Sequence, residues 1–126
     1  MAGLHAGLLY NSYPTMNGSW MPAESWHMRP LWYNLYENPT AIHFIHRTLA
    51  IILVLGYGFW WFFNRHTLQA FRLLVWGVAL LLCLQFVLGV LTVVKAVPLT
   101  LALKHQMLAL VLYGASVTLL HKVRKA

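Results

Sequence analysis

The sequence predicts an all-α membrane protein, with three transmembrane helices behind an aromatic-rich extramembrane N-terminal segment. Three observations carry this. Of the 126 residues, 60% are hydrophobic and only 9% charged, against about a quarter charged in ordinary soluble domains. Residues 73–94 form an uncharged run of 22 residues, which as a helix reaches roughly 33 Å and crosses a hydrocarbon core of about 30 Å. Residues 1–37 instead mix Trp20, Trp26, Trp32, Tyr10, Tyr13, Tyr33 and Tyr36 with Pro14, Pro22 and Pro30. That stretch is too broken to span a bilayer and suits a membrane–water interface.

Taken in order, residues 1–37 are expected to form an outward-facing lid, with a short helix or two. The three-helix domain then occupies residues 38–126. Helix one gathers the uncharged run 48–64 and extends back to Pro39. Asn38 is suited to cap it, and Pro39 to open it, where the missing N–H does no harm. Helix two is the run 73–94. Helix three starts at Pro98 and continues to about Leu120, interrupted early by Lys104 and His105. Arg65, His66 and Arg72 bracket the first turnaround. Backbone groups in lipid must pair internally, so three helices are the economical solution. The aromatic residues of 56–63 read as an interfacial belt.

Net charge is +7, from nine Lys/Arg against Glu24 and Glu37. The basic residues flank apolar runs and share no single face, which favours a lipid bilayer over nucleic acid as the partner. Five of them (Arg65, Arg72, Lys122, Arg124, Lys125) fall on one side of the predicted helices; Arg29 and Lys95 fall on the other. The positive-inside rule then places the C-terminus in the cytoplasm. No secretory signal is visible. The single cysteine, Cys83, excludes an internal disulfide and reads as a small apolar filler. Without CxxC or CxxCH there is no thiolate zinc site and no covalent haem attachment.

Seven histidines in so apolar a chain need sorting. His5 and His27 fall in the lid, and His66 and His121 at the basic boundary; all four read as solvated or interfacial. His46 lies seven residues after Pro39, and His105 seven after Pro98. Both helices run in the same direction, so each imidazole sits roughly 10 Å deep, at one level. Two neutral imidazoles on facing helices can hold a haem iron from both sides. Ala50, Leu53 and Tyr57 continue the stripe of His46; Ala109, Leu112 and Ser116 continue that of His105. Each ligand's second ring N–H has a carbonyl one turn back, at Ile42 or Leu101. Arg47 and Lys104 adjoin the pair. Cations inside a membrane helix need partners, and haem propionates would supply them; snorkelling is the other reading, above all for Lys104. Spacing alone leaves bis-histidine haem beside polar helix packing or a proton path. His43, on nearly the same face, fits a propionate partner or a lid contact better than a substitute ligand. Gln85 fits interhelical hydrogen bonding near the pair, and Gly89 and Thr92 on its face fit packing.

The motifs Gly3-Leu-His-Ala-Gly-Leu-Leu-Tyr-Asn-Ser-Tyr-Pro14, Glu37-Asn-Pro-Thr40, Phe44-Ile-His-Arg47, Gln85-Phe-Val-Leu-Gly89 and Val97-Pro-Leu-Thr-Leu-Ala-Leu-Lys-His-Gln106 together resemble haem A synthase, of the proteobacterial and mitochondrial cytochrome oxidase assembly type. The resemblance covers essentially the whole chain. It implies two four-helix halves, of which this chain is similar to the C-terminal one without the body of its first helix, so an incomplete four-helix haem-binding bundle. It implies that His46, of the His-Arg motif, and His105, of the His-Gln motif, hold a b-type haem. It implies an oxidoreductase that converts the C8 methyl of haem O to a formyl group, with the reacting groups in the other half, so that this fragment alone is inactive and its catalytic residues are unknown. The implied partners are the missing N-terminal half, haem O synthase and an electron donor; a homo-oligomer is compatible. The implied location is the bacterial inner membrane, with the mitochondrial inner membrane as the alternative. His5 stands where the family usually has Asp, and Ile45 where Asp often precedes the His-Arg. The rival reading is a bis-histidine haem b anchor of a quinone-linked dehydrogenase, which would not need the lid motif ending in Asn11-Ser-Tyr-Pro14.

Overall fold

A computed structural model describes residues 4–125. Their regular structure is helical. Three long helices, α1 (Pro39–Asn64), α2 (Arg72–Val94) and α3 (Leu99–Arg124), follow three short 3-10 helices at Ala6–Leu8, Ala23–Trp26 and Leu31–Leu35; a fourth, Thr67–Phe71, joins α1 to α2. All three long helices are long and apolar enough to cross a membrane.

The predicted starts are where the chain puts them. The Asn38 side-chain oxygen accepts from the backbone N–H groups of Thr40 and Ala41, at 3.0 and 3.3 Å, and Pro39 opens α1. Pro98 precedes α3, its carbonyl accepting from Ala102. At the other end α3 runs on to Arg124, past the apolar stretch, with His121, Lys122 and Arg124 in its last turn. Cations there face the negative end of the helix dipole, so the helix outlasts its hydropathy.

The α2–α3 connection is the tightest in the chain. Ala96 and Val97 both adopt left-handed φ, 57° and 55°, and Val97 N–H donates to the Thr92 carbonyl at 2.7 Å. Left-handed backbone is unfavourable for a β-branched residue. It is held here because it reverses the chain within a few residues and lays α3 closely against α2. α1, by contrast, meets α2 only sparsely.

Burial is concentrated at the two ends of the helices. At the Thr67–Phe71 end, Leu68, Val75, Val78 and Leu119 form a small core, with Tyr57, Trp60, Trp61 and Leu112 packed against it. The Tyr57 hydroxyl donates to the Val75 carbonyl at 2.7 Å. At the other end the lid closes on the start of α1. Fully buried Asn38 is its hub: the two N–H groups of its amide are shared among the Glu24 carbonyl (2.7 Å), the Ser25 carbonyl (3.1 Å) and the Asn34 side-chain oxygen (2.9 Å). Asn34 in turn bonds the backbone of Met28 and Leu31. One side chain thus caps α1 and ties down the lid, contributing about 1 kcal/mol as a cap and about 1 kcal/mol per further bond. Between these ends most helix surface faces outward, as it does in helices whose solvent is lipid.

Candidate cofactor site between α1 and α3

His46 projects from α1 and His105 from α3. Their ring centroids are 6.4 Å apart and their planes cross at 76°. α1 and α3 do not pack as close neighbours among the described residues, so the two rings meet across the cleft between helices that are otherwise apart. His105 is half-buried, and His46 is exposed on the cleft side of α1.

α2 holds His105 from behind. The Gln85 amide nitrogen lies 3.4 Å from His105 Nε2. One turn on, Gly89 approaches the Cε1 corner of the same ring closely: a Cβ built on Gly89 would stand 3.0 Å from His105 Cε1. The glycine read as general packing is therefore a close contact of this imidazole. Gly89→Val, followed by imidazole ¹⁵N shifts in histidine-labelled chain, is expected to move the His105 resonances and leave those of His43 in place; an unmoved His105 would show that α2 gives way instead. Two buried polar atoms lack partners here, Gln85 Oε1 and His105 Nδ1. The carbonyl of Leu101 therefore does not receive the second ring nitrogen of His105, contrary to the expectation; inside an α-helix that carbonyl already serves the backbone ladder.

Arg47, one residue past His46, turns the other way. Its Nε donates to His43 Nε2 at 3.0 Å. Its terminal nitrogens donate to three lid carbonyls: Thr15 at 3.1 Å, Tyr10 at 3.1 Å and Ser12 at 2.6 Å. Its guanidinium also stands 5.8 Å over the Tyr13 ring. Where an anionic propionate was expected to partner Arg47, carbonyl dipoles do so, because the lid segment curls around the guanidinium. His43 is fully buried within this network, 6.1 Å from the Tyr10 ring, and so is a lid contact. Lys104 is exposed, with no hydrogen bond or ion pair among the described residues.

The rest of the predicted stripe divides. Ala50, Ala109, Leu112 and Ser116 are half-buried and Leu53 is exposed, whereas Tyr57 belongs to the contact with α2. Sequence reasoning identified Asn38 only as a cap, did not single out Asn34, and placed Tyr10 and Tyr13 in the lid without their contacts to Arg47 and His43. The available signal was Arg47 itself, a guanidinium with five donors in an apolar helix and no carboxylate nearby. His5, His66 and His121 are exposed; His27 is exposed too and pairs with the Glu24 carbonyl. Exposed Glu24 and Glu37 both lie in the lid. No group of three or more His, Cys, Asp or Glu side chains is placed to hold a bare metal ion among the described residues.

Known proteins match this chain along nearly its full length. The COX15-CtaA family of cytochrome oxidase assembly proteins matches residues 1–117. Relatives named heme A synthase include those of Rhodospirillum centenum, 39% identical over 98% of this chain and 34% of the relative; Nitrosospira multiformis, 35% identical over 99% and 36%; and the Wolbachia of Brugia malayi, 34% identical over 99% and 36%. The chain thus spans about a third of the length of these curated relatives. No solved structure matches it. On the match to residues 1–117 and these relatives, the chain belongs to the COX15-CtaA family of cytochrome oxidase assembly proteins.

Proposed function

We propose that this chain is the C-terminal, haem b-binding half of a haem A synthase, the enzyme that oxidises the C8 methyl of haem O to a formyl group. The observation that carries the proposal is the facing pair His46 and His105. Two neutral imidazoles brought this close, with ring centroids 6.4 Å apart, would be the pair that holds a haem iron. The donor set fits, since paired neutral imidazoles are ordinary haem ligands. The surroundings fit as well: an unpartnered buried ring nitrogen on His105, a glycine in close approach to its ring and sparse packing between α1 and α3.

A haem iron between two imidazoles supplies a one-electron couple. The chain's own residues do the rest. Gln85 and Gly89 fix the plane of His105. Arg47 draws the Tyr10–Thr15 segment over the start of α1 and excludes water from that end. The basic end of the bundle, at Arg65, Arg72 and Lys122, faces the cytoplasm in this reading. The match to residues 1–117 favours the synthase over a dehydrogenase anchor. The missing half of the parent protein, haem O synthase and an electron donor are the partners that this assignment requires.

By itself the chain is assigned no methyl oxidation. It offers one histidine pair for one haem, and Glu24 and Glu37 lie exposed in the lid rather than beside the cleft. Expression in cells that make haem O but lack their own synthase tests both halves of the proposal. Membranes carrying the chain should show low-spin b-type bands in reduced-minus-oxidised spectra, and extracted pigments should contain no haem A. Absent haem bands under haem-replete growth would overturn the cofactor assignment. Haem A in the extract would overturn the division of labour.

A further inference from the structure

The end of the bundle away from the lid carries a second feature, independent of the haem reading. An open surface cavity of about 460 Å³, wide at its mouth, lies between the start of α2 and the end of α3. Arg72 and Lys122 reach it from two different helices, Gln69 adds a polar group, and Leu73 and Leu74 form an apolar wall. We propose that this cavity binds the phosphate-bearing headgroup of an anionic phospholipid, with an acyl chain lying along the exposed face of α2.

Four observations support this. The two cations have no hydrogen-bond or ion-pair partner among the described residues, and the chain's two acidic side chains, Glu24 and Glu37, lie in the lid at the opposite end of α1. Arg72 is the first residue of α2, where the helix dipole disfavours a cation; an anion bound beside it removes that penalty. The cavity sits at the boundary of both spans, between the first residue of α2 and the last turn of α3, at headgroup level for helices of this length. An apolar track starts at its wall: Leu73 is 91% exposed, and Trp76, Leu80, Leu84 and Val87, spaced by three or four residues, continue exposed along α2. Polar groups at one end of an apolar track match a lipid, whereas free phosphate would use only the cations. Basic pockets between helices at the membrane surface are known to take such headgroups.

The test uses the full chain, reconstituted in vesicles of phosphatidylglycerol and phosphatidylcholine, extracted in mild detergent and weighed by native mass spectrometry. Wild type should retain phosphatidylglycerol in preference to phosphatidylcholine. The double variant Arg72→Gln, Lys122→Gln should retain it on the order of ten- to thirty-fold less. Arg65→Gln, Lys125→Gln, with the same net charge but changed outside the cavity, should behave as wild type, and Arg72→Lys, Lys122→Arg should restore retention. Circular dichroism checks that helix content is unchanged. Equal loss in both double Gln variants would replace the site with diffuse surface charge. Full retention in Arg72→Gln, Lys122→Gln would overturn it outright. Displacement of the lipid by excess inorganic phosphate would assign the cavity to free phosphate instead.

Discussion

His46→Ala and His105→Ala are each expected to abolish low-spin haem ligation, while His43→Ala keeps most of it. The separation is geometric. His46 and His105 face each other across the cleft, whereas His43 Nε2 is occupied by Arg47 and the ring is buried under the lid. Outer partners of a metal ligand are already worth roughly 10–100-fold in affinity, so removing a ligand itself should exceed that range. Haem titration with absorption and electron paramagnetic resonance reads the change directly. Low-spin spectra surviving in both alanine variants would place the haem elsewhere. Loss confined to His43→Ala would make His43 the ligand on α1.

The second large effect concerns Arg47. Arg47→Ala strands three carbonyls, at Tyr10, Ser12 and Thr15, together with His43 Nε2. An unsatisfied buried acceptor costs about 1–3 kcal/mol, less what water recovers. The lid should therefore lose roughly 3–5 kcal/mol of local stability. Proteinase K should cut within residues 4–37 many times faster than in wild type, while α2 and α3 stay protected. Arg47→Lys keeps the charge but replaces a planar fork by a point donor, and should fall between the two. A lid as resistant in Arg47→Ala as in wild type would mean that the Asn38 hub alone holds it.

How much of this was legible in the sequence follows the range of each interaction. Asn38-Pro39 and Pro98 act through their own backbone, and both helix starts are where the residues predict. The end of α3 was set too early, at Leu120, because hydropathy stops before the helix does. The matched offsets of His46 and His105 depend only on helical rise and a shared starting level, and the structure brings the two rings together. The surroundings were less accessible. Arg47 finds carbonyls 32 to 37 residues earlier in the chain, and no local pattern encodes that curl of the lid. The pairing of Gly89 with the His105 ring depends on the register of the α2–α3 hairpin, which two left-handed residues set, neither of them glycine.

The uneven packing of the helices has a mechanical consequence. α2 and α3 form a stiff pair through their close contact and tight connection, and His105 rides on that pair. α1 resembles a beam supported at its two ends, by the lid and Asn38 at one and by the Thr67–Phe71 corner at the other. His46 lies near the lid support, a quarter of the way along the beam. The lid is anchored to α1 one residue from His46, through Arg47, and touches α2 one residue from Gln85, where Tyr13 meets Phe86 edge-on, so a shift of the lid bears on the supports of both imidazoles.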